Sequence, residues 1–317
     1  GNSRQGHQGR GWRHRGGFSV PCGFADRANS IAIFRYTTNE KSELCLRQSS
    51  TVLYLGVDAL VPVRGKAIAG LDEFAAAMDH AGIPIIWISN RNRFQLDAAI
   101  RTLGHAHPFV AEGASGVYLP EGYFNVRPAK TVRFGRFTCV PIAEPLPAAA
   151  EALEAISEET NVPIVPVRSL SARELAQNSG LPSGDAELAR HRDFDELFFF
   201  AGASESDIGR FQAAAGEARL QLRNIGQFWS ATVGASLARC VNELSKLYAR
   251  ALRHRPYTVG LASEEVAGEL FPLCDQKILL GGRNSAEALP AKIAGATQVS
   301  LGDPEVWEMV RSAMGQR

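Results

Sequence analysis

The chain reads as an α/β protein, a parallel-sheet core interrupted by an inserted α+β domain. Three observations predict this. VLYLGVDALVP, Val52 to Pro62, and IPIIWIS, Ile83 to Ser89, are continuous apolar runs of the kind that parallel strands buried on both faces carry. Between them Ile68, Leu71, Phe74, Ala75 and Met78 recur at helical spacing, which implies a right-handed strand-helix-strand crossover. Beyond residue 108 that rhythm gives way to strands separated by turns, and near residue 233 it resumes.

Taken in order, Gly1 to Gly17 (GNSRQGHQGRGWRHRGG) has almost nothing to bury and is expected to be disordered. Ser30 to Tyr36 is strand-like, with no role assigned. The Val52 strand is followed by a helix within Gly65 to Gly82, the Ile83 strand and a helix from Arg93 to Leu103. Strands are expected within Phe109 to Tyr118 and Lys130 to Pro141, then a helix from Ala148 to Thr160 and a strand from Val162 to Val167. The capping box Ser171-x-x-Glu174 opens the next helix. A helix over Asp185 to Arg192, a strand at Glu196 to Phe200, a helix from Ser206 to Ala218 and a strand near Leu220 to Arg223 follow. The core resumes with a helix from Ser236 to Leu252, a strand at Tyr257 to Leu261, a helix from Ser263 to Leu270 and a strand at Lys277 to Leu280. Asp303-Pro304 has the N-cap and first-turn chemistry that starts a last helix. The expected division is an extension at 1–50, a core of 51–107 and 233–317, and an insertion at 108–232.

Composition narrows the partners. A net charge of +1 gives no global steer toward nucleic acid, membrane or acidic substrates. Five cysteines without CxxC or CxxH spacing point to free thiols in a reducing, cytoplasmic setting. No apolar run reaches the roughly 18 to 20 residues of a membrane span, and the first residues lack the apolar stretch of a signal peptide. His80, His105, His107, His191 and His254 form no metal-like pair on one helical face.

Three stretches then resemble one family, in family order. SNRNRFQ (Ser89 to Gln95) looks like its TSKTRAE, and HPFVAEGASGVYLPEGYF (His107 to Phe124) looks like its PFI-x-ENG and GYF block. GLPSGDAELARHRDFDELF (Gly180 to Phe198) is similar to its TGLP and REY-x-E-x-F block. The family is the mannosyl-3-phosphoglycerate phosphatases, a branch of the haloacid dehalogenase superfamily with a Cof-type, IIB cap. The resemblance, from about Val52 to Gly282, implies a Rossmann-like core with a parallel sheet plus an inserted α+β cap.

It also implies a catalytic apparatus that this sequence lacks. The family's first strand ends in D-x-D-x-T, whose first Asp attacks phosphorus and binds Mg²⁺ and whose second is general acid and base. Here the pentad is Gly56-Val57-Asp58-Ala59-Leu60, so only Asp58 remains. The lysine triplet DKG falls on Ser236-Leu237-Ala238. The metal-binding GD-x-x-ND falls on Ala262-Ser263 and Val266-Ala267; a shorter-loop alignment puts Glu264 and Glu265 opposite ND instead. What is retained points to substrate: Ser89, Asn90, Arg91 and Arg93 in the second motif, Glu112 in the ENG triplet, and Arg192 and Glu196 in the cap.

Without a nucleophile the favoured expectation is a pseudophosphatase that binds a phosphorylated or sugar-acid ligand, or a protein partner, and needs no cofactor. One alternative is an active phosphatase using Mg²⁺ with relocated chemistry at Asp58 and Glu264 or Glu265. Another is a scaffold whose Gly- and Arg-rich first residues contact nucleic acid.

Overall fold

A computed structural model of the chain describes residues 50–315 apart from 63–65, 105, 127, 282–290 and 292. The expectations for Gly1 to Gly17 and Ser30 to Tyr36 lie outside the described residues.

The first strand, β1 (Thr51–Gly56), is buried along its whole length. Its two faces serve two apolar layers, as period-2 alternation requires. Leu53 and Leu55 join Phe74, Trp87 and Leu96 on one side, while Val52 and Tyr54 join Leu244, Tyr248 and Ala262 on the other. Helix α1 (Leu71–His80) buries Leu71, Phe74, Ala75 and Met78. It starts later than the periodicity suggested, because Gly70 stands before it at φ 79°, where a Cβ would meet the Trp307 ring at 2.7 Å. Strand β2 (Ile85–Ile88) and helix α2 (Arg93–Thr102) follow, the latter opened by a capping box between Asn92 and Gln95.

Strands β3 (Phe109–Ala111), β4 (Gly116–Pro120), β5 (Val132–Phe134) and β6 (Phe137–Pro141) come next. All four belong to the core sheet, whose order is β13-β12-β11-β1-β2-β3-β4-β6-β5. The expected insertion boundary at 108 is therefore corrected. β3 pairs parallel with β2, and β4, β6 and β5 extend the sheet antiparallel. The reason is apolar: Phe109, Val110, Ala111, Val117 and Tyr118 are fully buried, and Phe109 stacks on Tyr118 at 5.1 Å.

The inserted cap runs from α3 (Leu146–Thr160) through β7 (Ile164–Pro166), α4 (Ala172–Ser179), α5 (Ser183–Ala189), β8 (Glu196–Phe200), α6 (Glu205–Glu217) and β9 (Leu220–Ile225) to β10 (Phe228–Val233). Its strands form an antiparallel sheet, β7-β8-β10-β9. The Glu144 N–H donates to the Val233 carbonyl at 2.9 Å and ties the two connections together. Phe198, Leu220 and Ala231 pack under α3 and α6, whereas Leu197, Phe199, Ile225 and Phe228 pack with α4 and α5 on the opposite face. The core then resumes as α7 (Leu237–Leu252), β11 (Tyr257–Ala262), α8 (Glu264–Leu270), β12 (Gln276–Gly281), β13 (Thr297–Ser300) and α9 (Val306–Gly315). β1 lies between β11 and β2, parallel to both, so the loops after all three strands leave one edge of the sheet.

Candidate functional site

Gly56 ends β1 on the face shared by Val52 and Tyr54. A Cβ built there would stand 3.4 Å from Ala262 Cβ and 3.5 Å from Val266 Cβ, ordinary van der Waals distances. Of the two alignments of the fourth motif, the one with Ala262 and Val266 thus puts its residues beside Gly56. Glu264 and Glu265 instead lie exposed in the first turn of α8. Leu237, in the lysine position, is buried in the same apolar layer as Ala262. The Mg²⁺ that the resemblance implies does not fit these residues. Glycine, alanine, valine and leucine offer a hard cation no side-chain oxygen, Ser263 in the GD aspartate position offers only a neutral hydroxyl, and among the described residues no three His, Cys, Asp or Glu side chains converge as a metal site.

Asp58 and Ser89 meet, but they bind each other. The Ser89 hydroxyl donates to Asp58 Oδ1, and the Asn90 N–H donates to Oδ2 at 2.8 Å. Ser89 Oγ in turn accepts the Arg91 N–H at 3.0 Å, and Arg91 Nε stands 3.8 Å from the Asp58 carboxylate. Arg91 also donates to the Val61 carbonyl. The carboxylate thus holds the turn after β2 to the turn after β1.

Glu112, Arg93 and Arg192 form the seam between core and cap, and Glu196 pairs within the cap. Glu112, held at φ 52°, is fully buried. Its carboxyl accepts the backbone N–H groups of Asp193, Phe194 and Asp195 at 2.8 to 3.2 Å. Burial pushes that carboxyl up to about 8, and nearby Asp195 adds to the rise. Arg192 forms a buried ion pair with Asp195, donates to the Asn90 carbonyl at 2.7 Å, and makes no ion pair with Glu196. Burial opposes the Arg192 charge, but Asp195 and Glu112 outweigh it and hold its pKa above the usual value. Glu196 pairs with Arg168 at 2.7 Å, and burial raises its pKa to about 7. Arg93 pairs with Asp193 at 2.7 Å, and its guanidinium lies over the Phe94 ring. Glu112, Arg93 and Glu196 therefore brace the fold and do not line the cleft; Arg192 does both.

The cleft between the sheet edge and the cap encloses about 390 Å³. Asp58, Asn90 and Arg91 line it from the core, and Leu181, Leu197, Ile225 and Phe228 from the cap. A second cavity of about 360 Å³ is more polar, with Gln221, Ser230, Thr232 and Ser236 on its wall. Arg223 of the cap reaches Glu269 of the core there at 2.9 Å. Sequence reasoning missed Asp193, Asp195 and the apolar wall. The one available signal is strand β8, ELFFF: Leu197 and Phe199 alternate with Phe198 and Phe200, so both faces are apolar, one packed with α3 and α6 and the other with α4 and α5, where Leu197 also reaches the cleft.

Comparison with known proteins agrees with this architecture. No protein-family profile matches the chain. In structure it is similar to a haloacid dehalogenase-superfamily phosphatase of Bacteroides thetaiotaomicron, BT1666, with TM-score 0.56 and 13% identity over 84% of this chain and 96% of that one. The subclass IIB sugar phosphatase BT4131 gives TM-score 0.54 and 12% identity over 84% and 99%. Fold and sequence likeness together support a fold of the haloacid dehalogenase type with a Cof-type cap. In sequence it is similar to two glucosyl-3-phosphoglycerate/mannosyl-3-phosphoglycerate phosphatases. That of Persephonella marina is 25% identical over 183 residues, 57% of this chain and 65% of the relative. That of Methanococcoides burtonii is 22% identical over 166 residues, 52% and 61%. The matches span less than two thirds of either relative's length.

Proposed function

We propose that this chain is a catalytically silent member of the phosphatase fold, a binding protein built around the cleft between core and cap. The observation that carries the reading is the corner at Gly56, where Ala262 and Val266 stand at van der Waals distance from any side chain placed there. A covalent nucleophile, a divalent cation and a lysine each lower the barrier to phosphoryl transfer by on the order of several kcal/mol. Gly56 in the nucleophile position, Ser263 and Ala267 in the metal-carboxylate positions and Leu237 in the lysine position supply none of the three.

Relocated chemistry at Asp58 and Glu265 has one point in its favour, since both line the same cleft. Against it, Ser89 and the Asn90 N–H already occupy both oxygens of Asp58. A phosphorylated sugar acid is also poorly matched, because Arg91, Arg93, Arg192 and Arg223 are each paired with a carboxylate. Nucleic-acid contact by the first residues concerns a segment outside the described residues. The purified chain is expected to release no phosphate above background from mannosyl- or glucosyl-3-phosphoglycerate, or from p-nitrophenyl phosphate, with Mg²⁺ present. Magnesium-dependent release that Asp58→Asn abolishes would overturn the reading.

A further inference from the structure

We infer that the cleft takes an uncharged, partly apolar small molecule, one with a flat apolar face and hydrogen-bonding groups on its opposite edge. The inference rests on the reading of a binding, non-hydrolysing cleft and names its ligand class.

Charge is the first argument. The ionised side chains on the cleft wall are Asp58, Arg91, Arg192 and Glu265, two of each sign. Both arginines are already neutralised: Arg91 by Asp58, and Arg192 by the buried Asp195. Counting Asp195, the balance tips to one net negative charge. A ligand carrying a phosphate and a carboxylate would lose its hydration on entry and gain no uncompensated cation in return. Glu265, exposed and without an ion pair among the described residues, would repel it.

The shape and chemistry of the walls supply the second argument. On the cap side Leu197, buried, and Ile225 and Phe228, half-buried, form one apolar surface with the residues of α4 and α5, and all three line the cleft. Ile225 and Phe228 pair across the two-residue turn Gly226-Gln227, where Gly226 takes φ 73°, so both stand at the tip of one hairpin. Opposite them, the Asn90 side-chain amide and the Gln95 amide nitrogen make no hydrogen bond within the described residues, and both line the cleft. Uncharged amides facing an apolar wall across about 390 Å³ suit a neutral amphipathic molecule of drug-like size.

The test uses matched probe pairs on the full chain: phenyl β-D-glucoside against phenyl phosphate, and benzamide against benzoate, with 3-phosphoglycerate alongside. Binding is read by calorimetry and by thermal shift. The neutral member of each pair is expected to bind at least about tenfold tighter than its anionic counterpart. Phe228→Ala and Ile225→Ala should each weaken neutral binding by about tenfold. Glu265→Gln, a change on an exposed turn, should narrow the gap between neutral and anionic probes. Asp58→Asn should narrow it further by leaving Arg91 unpaired. Binding of phenyl phosphate or 3-phosphoglycerate equal to or tighter than the neutral probes overturns the inference. So does neutral binding indifferent to both Phe228 and Ile225, or no binding of either member of any pair. Each of those outcomes leaves catalytic silence standing, whereas magnesium-dependent hydrolysis of phenyl phosphate would overturn that reading instead.

Discussion

The corner at Gly56, at the end of β1, and the seam at Glu112, after β3, lie on one sheet edge with β2 between them, and their residues behave in opposite ways. At the corner, the positions from which the resemblance implies a nucleophile, a lysine and metal carboxylates carry small or apolar residues, and Leu237, Ala262, Val266 and Ala267 pack in one layer beside Gly56. At the seam the polar residues remain, and each is bonded to backbone or to an opposite charge: Glu112 to three N–H groups, Arg192 to Asp195 and the Asn90 carbonyl, Asp58 to Ser89 and Asn90. The difference teaches what each side chain is for. A carboxylate that served only a metal and a phosphoryl group can become glycine or alanine with no backbone group left unsatisfied. A buried carboxyl that accepts backbone N–H groups has no such freedom, because its loss orphans the donors.

The largest effect that tests this contrast is expected from Glu112→Ala. Three N–H groups, those of Phe194 and Asp195 buried and that of Asp193 partly so, lose their acceptor, and the chain should lose about 4 kcal/mol or more in urea denaturation, or fail to fold. A loss under about 1 kcal/mol would break the comparison. Next comes Gly56→Asp, which sets a carboxylate beside Ala262 and Val266. It should cost about 1 to 3 kcal/mol and restore no phosphatase activity, because no lysine or metal carboxylate joins it.

The pH dependence should be smaller. Glu112 titrates near the usual carboxylate value when unfolded and near 8 when folded, so between those values the native state holds a proton that the unfolded chain releases. Its contribution is fully present below the unfolded value and is lost as pH rises through the folded one. Stability should therefore fall from about pH 4.5 to about pH 8, with a slope of at most about 1.4 kcal/mol per pH unit from this group. Melting curves of Glu112→Gln should show a flatter profile over that window. The smallest effect is expected from Arg223→Ala. Its pair with Glu269 joins cap to core at the second cavity but is about a third exposed on one side and half on the other, so the loss should be under about 1 kcal/mol.

By itself the sequence determined the elements that local pattern specifies. The continuous apolar run of β1, the helical spacing of α1 and α7, the capping box at Ser171 and the alternation of core and insertion were all readable, because burial on both faces, 3.6-residue periodicity and cap chemistry act over a few residues. That glycine stands where the resemblance implies a nucleophile was readable too, since Gly56 is a matter of residue type and register. Which sheet a strand joins was not readable. β3 to β6 have the same alternating pattern as the cap strands, and only the parallel pairing of β3 with β2 assigns them to the core. β10 and β13 escaped notice, the first behind a tight glycine turn and the second as four residues with two exposed. Partners were likewise settled by tertiary structure. Arg192 has Asp195 and Glu196 almost equally near in sequence, and Glu112 lies some 80 residues from the N–H groups it accepts. Charge pairing and hydrogen bonding depend on distance in space, and the chain's path between core and cap fixes those distances after the local elements have formed.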